Sequence, residues 1–415
     1  MRYFHSNQRG GATLAVTLIL CGVMTLVAAY ANRNHLFEQR ASANQYRSTQ
    51  AFEAAEAGLE WATAMLNNPR RLNNRCVEGV DASVNFRERY LTSDPRTGAL
   101  RPVTVSDAGR VSALRAVCVR TTDSWRCACP RDAKLDLSAD PAAWPAFAIE
   151  FSPDAQAGAV HVTAVGCTSL AGECFPARGK ADAVAHIQTT LGAWPAIATL
   201  PIAPLTTRDT VNAENSSLGL HNADAASGGA SVHAGRSVIA PNARLTTTPG
   251  SSPEGSIVEN DASLSALPAD RFFVSFFGID KTLWKQQPSV KQLRCDGSCV
   301  DAMNTALSSG HQLIWIDGDA ELTGPLTIGS REQPILIVAT GTLRLTGPIR
   351  IAGVVYAANL SWQGASGGQL RGAAISESSY EGDASPDFIY DPAVLATLKT
   401  GANSFARLPG TWKDF

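Results

Sequence analysis

The sequence of 415 residues has little net charge and few aromatic residues. Its formal charge is -2 and its pI is about 6.4, so it lacks the basic excess with which proteins bind nucleic acids. Aromatic residues make up 7% and charged residues 17% of the chain, which is more typical of an exported β-rich protein than of a helical cytosolic enzyme. We therefore expect no nucleic-acid partner, and we expect two folded regions with an N-terminal appendage.

The chain also lacks the paired CxxC motifs and regularly spaced histidines of structural metal sites. The run CAC at residues 127–129 has only one intervening residue, and the seven histidines are scattered. His161 and His186 fall on predicted strands, with no carboxylate in a recognisable catalytic motif. We expect no catalytic residue, no metal and no cofactor. Calcium at the run DGD, residues 317–319, is the alternative, although calcium takes about 6–8 oxygen ligands.

The cysteines favour an oxidising compartment. Cys21 lies inside an apolar run, and the other eight cysteines lie beyond it, at positions 76, 118, 127, 129, 167, 174, 295 and 299. An even set of this kind is typical of disulfides in an exported protein. Close spacing favours pairing of Cys167 with Cys174 and of Cys295 with Cys299. The remaining connectivity stays open.

The N-terminal apolar run is long enough to span a membrane. Residues 12–31 carry no charge, and 20 residues cross a hydrocarbon layer of about 30 Å as a helix. Arg2 and Arg9 precede the run, which predicts a cytoplasmic N-terminus, a single pass through the inner membrane and periplasmic C-terminal domains. A secretory signal peptide has a shorter apolar core, of about 7–15 residues, followed by unrelated sequence. Here the helical pattern continues.

Residues 32–66 contain no proline and a single glycine, Gly58. Apolar residues recur at intervals of three or four and form one stripe: Phe52, Ala55, Leu59, Ala62 and Leu66. The run NNPRR at residues 67–71 ends the pattern. We predict one helix of about 55 residues, or about 80 Å, with a transmembrane half over residues 12–31 and an amphipathic periplasmic half over residues 32–67 that has a face to bury.

The middle of the chain, residues 68–205, has the alternating pattern of β-strands. Apolar and polar residues alternate over residues 146–151, 159–167 and 181–192, with turn residues between these segments. Three consecutive short strands predict a small antiparallel sheet whose apolar face covers the stripe of the helix. We therefore expect an α+β fold with a disulfide-linked β domain over residues 68–205.

The C-terminal part of the chain contains an internal repeat. LIWIDGDAELTGPLTIG, residues 313–329, aligns with LIVATGTLRLTGPIRIA, residues 336–352, at a constant offset of 23 residues. Such a period predicts stacked rungs, so we expect a β-solenoid, similar to a parallel β-helix, over residues 206–415. An aromatic-rich insertion at about 270–307 interrupts it, either as a helical cap or as a partner-docking surface. The acidic loop over residues 376–388 is interpreted as solvated.

Two motifs of the N-terminal helix suggest a family. QRGGATLAVTLIL, residues 8–20, followed by QAFEAAEAGLEWA, residues 50–62, resembles the N-terminal signature of the PilX family of type IV pilus minor pilins. The resemblance implies a class III leader over residues 1–11, cut by prepilin peptidase between Gly11 and Ala12, with a cut between Gly10 and Gly11 as the alternative. It further implies contacts of the helix with other minor pilins and the major pilin, and with the inner-membrane pilus assembly machinery, and it raises a pilus-tip adhesin as another partner.

The sequence departs from the major-pilin pattern at one position. Major pilins carry glutamate at the fifth mature position, where this chain has Val16, or Ala15 for the alternative cut. A carboxylate inside a bilayer is costly unless paired, and its absence removes one contact between subunits. We therefore expect a non-enzymatic minor pilin that helps prime assembly and ends at or near the pilus tip. The alternatives are a tip pseudopilin of type II secretion and a membrane-anchored β-helix enzyme acting on a polysaccharide, which would need paired carboxylates.

Overall fold

The computed structural model describes residues 10–79, 81–94, 97–107, 110–131, 137, 144–175, 179–295, 297–364 and 367–414. Residues 1–9 of the predicted leader lie outside this range. One long helix precedes a region built mostly of sheets. The predicted α+β class is confirmed.

Helix α1 (Gly10–Asn67) is continuous over 58 residues, or about 87 Å at 1.5 Å per residue. It ends just before Pro69 because proline disfavours the helical conformation of the residue that precedes it. The described side chains from residue 11 to residue 49 are exposed, and burial begins around residue 51. The packed part of the helix is therefore shorter than the predicted amphipathic half, residues 32–67.

An antiparallel region follows α1 and includes the short helix α2 (Phe86–Tyr90). Its strands are β1 (Arg71–Leu72), β2 (Val84–Asn85), β3 (Leu91–Ser93), β4 (Leu100–Pro102), β5 (Thr104–Asp107), β6 (Arg110–Ala113), β7 (Ala116–Arg120), β8 (Trp125–Ala128), β9 (Ala146–Pro153), β10 (Ala159–Cys167) and β11 (Val184–Pro195). Strands β9, β10 and β11 occupy the three segments with the alternating pattern. In this sheet Val162 lies opposite Phe151 on one side and Thr189 on the other.

The second sheet region consists of parallel strands. They are β12 (Leu205–Thr207), β13 (Val211–Asn212), β14 (Gly219–His221), β15 (Val232–Ala234), β16 (Val238–Ile239), β17 (Arg244–Thr246), β18 (Ile257–Val258), β19 (Val290–Leu293), β20 (Leu313–Ile316), β21 (Ala320–Thr323), β22 (Leu326–Ile328), β23 (Ile335–Thr346), β24 (Ile349–Gln363), β25 (Gln369–Ser376), β26 (Tyr380–Gly382) and β27 (Asp387–Ile389). Five helices accompany them: α3 (Ala262–Ser265), α4 (Ala269–Phe277), α5 (Lys281–Lys285), α6 (Val300–Ser308) and α7 (Pro392–Gly401). We call these strands the parallel stack.

One face of the parallel stack has the strand order β19, β20, β23, β24, β25, β12, β15, β18, and every neighbouring pair is parallel. Leu313 lies opposite Leu336, at the offset of 23 residues seen in the repeat. Leu336 in turn lies opposite Val354. The chain thus enters the stack in its middle, at β12, and runs to one end, at β18. It then returns through the other end, at β19, and meets β12 again at β25.

The insertion therefore has a different place from the one predicted. Residues 270–307 were expected to interrupt successive rungs, but the segment from α3 to α5 connects the two opposite ends of the stack. Strand β19, which lies inside this range, is itself the terminal strand beside β20. Helix α6 follows it and buries Met303 and Ala306 in the interior of the stack. The reason is that β12, β15 and β18, which come earlier in the chain, stack next to β25 and not next to β20.

The C-terminal tail departs from the predicted boundary. Strands β28 (Asn403–Arg407) and β29 (Lys413–Asp414) pair with β11 of the antiparallel region, giving a seven-stranded sheet in the order β28, β11, β10, β9, β7, β8, with β29 also on β11. The predicted range 206–415 is thus wrong for its last residues. Strand β11 would otherwise be an edge with unpaired backbone groups, and the returning tail satisfies them.

The strands of the stack bury both faces. Ile314 and Ile316 point into the interior, while Leu313 and Trp315 pack outward with α4, α5 and α7. Alternate side chains of a strand point to opposite faces. Covering both faces therefore explains apolar runs such as LIWI, in which all four residues are buried.

Candidate assembly surface on helix α1

The predicted stripe of α1 faces the antiparallel sheet. Ala55, Leu59, Ala62 and Leu66 are each no more than 1% exposed and belong to the core shared with β9, β10 and β11. Phe52 is half-buried and forms a T-shaped contact with the Trp412 ring, with the ring centroids 6.4 Å apart. Burial of these side chains anchors the last turns of the helix to the sheet.

Two glycines allow the helix and sheet to approach closely. A Cβ atom at Gly166 of β10 would lie 2.0 Å from the carbonyl oxygen of Ala51 and 2.4 Å from the backbone nitrogen of Ala55. A Cβ at Gly58 would lie 2.9 Å from the Phe147 ring. Gly166 has no signal in the local sequence, because its role depends on a backbone segment more than one hundred residues earlier in the chain.

The N-terminal part of α1 has no packing partner among the described residues. It is the one helix in the described range that is long and apolar enough to cross a membrane. Val16, at the place of the major-pilin glutamate, is 56% exposed. The predicted cleavage site lies in the first turn of α1, where Gly11 and Ala12 are both exposed. The helix thus combines a bare apolar half with a half that carries the folded regions.

Asn67, the last residue of α1, links the helix to two distant segments. Its side-chain nitrogen donates to the carbonyl oxygen of Phe405 at 2.9 Å, and its side-chain oxygen accepts from the backbone N–H of Phe405 at 2.8 Å. The hydroxyl of Ser289 also donates to the Asn67 side-chain oxygen, at 2.9 Å. Asn67 therefore ties the helix end to the C-terminal tail and to the segment before β19.

Arg87 of α2 reinforces the same junction. Its guanidinium donates to the carbonyl oxygens of Gly401 and Asn403, both at 2.6 Å, and to that of Leu66 at 3.3 Å. Burial lowers the pKa of Arg87 to about 10, so it stays charged at neutral pH. Leu66 and Gly401 lie at the carboxyl ends of α1 and α7, where a positive charge is favourable. A cleft of about 930 Å³ beside the junction is lined by Arg70, Arg87, Gln312 and Thr397, among others.

Disulfides join the cysteines in four pairs. The structure pairs Cys167 with Cys174 and Cys295 with Cys299, the two close pairs of the sequence analysis. The others are Cys76 with Cys129 and Cys118 with Cys127. Cys21 of α1 is free and exposed. The pairing across 53 residues, from Cys76 to Cys129, had no signal in the cysteine spacing.

The carboxylates of the run DGD are engaged by neighbouring protein groups. Asp317 accepts from Lys285 at 2.7 Å and from the Trp315 indole at 2.8 Å. These hydrogen bonds lower the pKa of Asp317. Asp319 accepts from the backbone N–H of Thr342 at 2.7 Å. Among the residues that the structure describes, no group of three or more histidine, cysteine, aspartate or glutamate side chains is placed to hold a metal ion.

Both strand histidines have carboxylate neighbours that were not apparent in the sequence. His161 lies 3.1 Å from Asp154 and 2.9 Å from the Thr190 hydroxyl. His186 lies 2.7 Å from Glu173. Each pair joins a strand to a nearby turn or to the next strand. His186 lies opposite Val165 in the register of β10 and β11, four residues along the sheet from His161, and each histidine has its own carboxylate neighbour.

The aromatic insertion packs on the outer face of the stack. The rings of Phe273 and Phe277 contact Tyr356 of β24, and the Trp284 ring contacts Phe277. Glu377 accepts from Lys281 and from the Tyr356 hydroxyl, both at 2.5 Å, and burial followed by the nearby Glu377 charge raises the pKa of Tyr356. Glu377 is only 12% exposed. The interpretation of residues 376–388 as a solvated acidic loop was therefore wrong at this residue.

The N-terminal segment is similar to a known family. Residues 9–60 match the PilX N-terminal family, and this agrees with the resemblance carried by residues 8–20 and 50–62. No curated protein sequence matches the chain. Among solved structures, the chain is similar to the competence-associated pilin ComZ from Thermus thermophilus, with 13% identity over 89% of this chain and 98% of that one. The TM-score of 0.21 is too low to carry an argument about the fold.

Proposed function

We propose that this chain, whose N-terminal segment belongs to the PilX N-terminal family, is a minor pilin that helps prime type IV pilus assembly. One observation carries the proposal: α1 is a single helix from Gly10 to Asn67, apolar and bare over its first half and packed on a sheet over its last turns. The bare half suits a membrane before assembly and contact with neighbouring helices afterwards. The family match covers this helix almost to its end.

We further propose that the protein stands at or near the pilus tip. Val16 occupies the place of the major-pilin glutamate, so one contact with a neighbouring subunit is missing. The antiparallel region and the parallel stack together form a large head on one helix. Such a head is easier to accommodate at the end of a filament than along its length. On this proposal the head is periplasmic before assembly, the protein has no catalytic activity, and it needs neither calcium nor another cofactor.

The N-terminus of the mature protein tests this function. Mass spectrometry of the full chain, expressed with and without prepilin peptidase, should show loss of residues 1–11 only when the peptidase is present. Replacing Gly11 with valine should block the cut, whereas Gly10→Val should leave it intact. A Gly10→Val block would instead place the cut after Gly10. An uncut chain in cells with active peptidase, or normal piliation after deletion of the gene, would contradict the proposal.

We also propose that the parallel stack is a short β-solenoid. Successive rungs from β20 to β25 stack in register, and the first pair follows the 23-residue repeat. Deleting residues 313–335 removes one repeat and places Leu336 where Leu313 stood. We expect the shortened chain to fold with its Cys295–Cys299 disulfide intact, as measured by peptide mapping and circular dichroism. An unfolded product would argue for a closed sheet of fixed size.

A further inference from the structure

The parallel stack has three faces, which differ in their outward side chains. The first face is covered by α4, α5 and α7. The second consists of β21, the second halves of β23 and β24, β26, β13 and β16, and it carries charges of both signs, such as Glu321, Arg344 and Glu381. The third consists of β22, the first half of β24, β25, β27, β14 and β17.

On the third face, the register places polar side chains in two rows that cross the strands. The first row runs from Arg350 of β24 to Arg244 of β17, over four neighbouring strand pairs. Neighbouring strands are about 4.8 Å apart, so this row extends about 19 Å. Arg371 of β25 lies in the second row. We call the following outward side chains the arginine face: Arg350, Arg371, Arg244, Gln369, Asp387 and His221.

The arginine face has positive charge that the chain does not neutralise. It carries three guanidinium groups and one carboxylate. Arg350 and Arg371 are exposed, and neither forms an ion pair with another residue in the described part of the chain. The Nε of Arg371 donates to the side-chain oxygen of Gln369 at 3.1 Å. Both guanidinium groups are therefore available to the acidic groups of another molecule, which they can bind through two parallel hydrogen bonds.

The third arginine belongs to a cluster around Asp387. The Oδ1 atom of this carboxylate accepts from Arg244 at 2.7 Å and lies 3.2 Å from Nε2 of His221. A Cβ atom at Gly219 would lie 2.1 Å from the same oxygen, so this glycine leaves the room in which the three side chains meet. They are 26–50% exposed. A hydroxyl group both donates and accepts, so it can bind the carboxylate and the guanidinium of this cluster together.

We propose that the arginine face binds an extended acidic polysaccharide that lies across the strands. Its acidic groups pair with Arg350 and Arg371, and its hydroxyl groups bind Asp387 and Arg244. The rows supply a polar side chain on successive strands, so a linear polymer meets a partner at each step along the face. This ligand goes beyond the proposed function, because the face belongs to the stack and requires neither helix α1 nor a role in assembly.

The position of Asp387 favours a sugar polymer over a nucleic acid. A DNA duplex carries about one negative charge per 1.7 Å of its axis, or about 11 along this face. Three arginines are too few to neutralise them, and Asp387 repels them. In a polysaccharide, hydroxyl groups separate the acidic groups and can donate to Asp387. The arginine face also contains none of the aromatic side chains that are enriched at protein interfaces.

Affinity electrophoresis of the full chain in detergent tests this ligand. The native gel contains either alginate, whose sugars each carry a carboxylate, or dextran, which is neutral. We expect alginate to retard the protein and dextran to leave its mobility unchanged. Arg350→Ser should weaken alginate binding about tenfold, because a charge-assisted hydrogen bond is lost. The control Arg344→Ser removes an exposed arginine from the second face and should have no effect. Absence of retardation, or equal losses in the two variants, overturns the proposal.

The variant Asp387→Asn separates sugar recognition from general attraction of polyanions. It keeps the size of the side chain and removes the negative charge. General attraction predicts tighter binding of alginate, because a repulsion is lost. We expect weaker binding, by about threefold, because an amide accepts fewer hydrogen bonds from hydroxyl groups than a carboxylate does. Tighter binding of alginate by the variant, or a preference of the wild type for duplex DNA over alginate, overturns the proposal.

Cleavage by prepilin peptidase is measured on the same protein preparations. A correctly cut chain that does not bind alginate refutes the ligand alone. An uncut chain from cells with active peptidase that still binds alginate refutes the proposed function alone.

Discussion

The antiparallel region and the parallel stack bury their apolar surface in different ways. One face of the antiparallel sheet packs on α1. The two approach closely because the small residues Ala51 and Ala55 of the helix meet Gly166 of β10. Three of the four disulfides lie in this region. The stack instead covers itself by repetition, with its interior filled by residues of successive rungs. The first region therefore depends on one close interface and covalent links, while the second distributes its stability over many similar contacts.

The largest effect is expected at the close interface. Gly166→Ala places a Cβ within 2.0 Å of the Ala51 carbonyl oxygen, so the helix must move from the sheet. We expect a loss of about 3 kcal/mol or more in the free energy of unfolding of the antiparallel region, measured by urea denaturation of the full chain in detergent. The control is Gly255→Ala, in the turn just before β18 of the stack, where the nearest atom lies 3.8 Å away. Equal losses would contradict this comparison.

Loss of a disulfide should destabilise the antiparallel region more than the parallel stack. Cys76 and Cys129 close a loop over 53 residues, whereas Cys295 and Cys299 are four apart. On the chain-entropy model, replacing the first pair with serine costs about 4 kcal/mol and the second about 2 kcal/mol. Urea titration of the two double variants measures the difference between their free energies of unfolding. A larger loss for the short loop would show that the stack relies on its link more than we infer.

A change at the junction should loosen the contact between the regions. Asn67→Ala removes both hydrogen bonds to the Phe405 backbone and leaves a buried N–H without this partner, at a cost of about 2 kcal/mol. Hydrogen exchange should accelerate in β28 more than in β10 or β23. The neighbouring Asn68→Ala is the control, since its side-chain oxygen accepts only an exposed bond from Arg70. Unchanged exchange in β28 would refute the role of Asn67.

The smallest effect concerns pH. Burial, followed by the charges of Lys291 and Arg70, lowers the pKa of His311. The unfolded chain therefore binds this proton more readily than the folded chain, and stability falls as pH drops through the unfolded pKa of about 6.5. Between pH 7.5 and about 5.5, the wild type should lose more stability than His311→Gln. Parallel losses in the two proteins, measured by urea titration, would rule out this contribution.

Local features of the sequence predicted much of the molecule. The stripe from Phe52 to Leu66 follows from helical periodicity, and the offset of 23 residues anticipates the pairing of Leu313 with Leu336. The match of residues 9–60 to the PilX N-terminal family was also predictable from residues 8–20 and 50–62. Each signal is contained in a short window, because periodicity depends only on the geometry of one helix or one strand.

The direction of the stack and the position of the insertion were not predictable in this way. The repeat indicates that β20 and β23 are neighbours, but it contains no information on whether earlier rungs precede β20 or follow β25. Glu377 looked like part of a solvated loop because its partners, Lys281 and Tyr356, lie on other segments. Glu377 loses most of its exposure to solvent only once those segments surround it.

Short windows of the sequence encode the long helix, its exposed apolar half, the side on which its last turns pack and the spacing of the repeated rungs. Contacts between distant segments set where α1 meets the sheet, which cysteines pair over long distances and where the tail returns. Asn67 and Phe405 are 338 residues apart, and nothing in either local sequence predicts their contact. Their hydrogen bonds form because β28 is the end strand of its sheet, so the outward backbone groups of Phe405 lack a strand partner and Asn67 satisfies them.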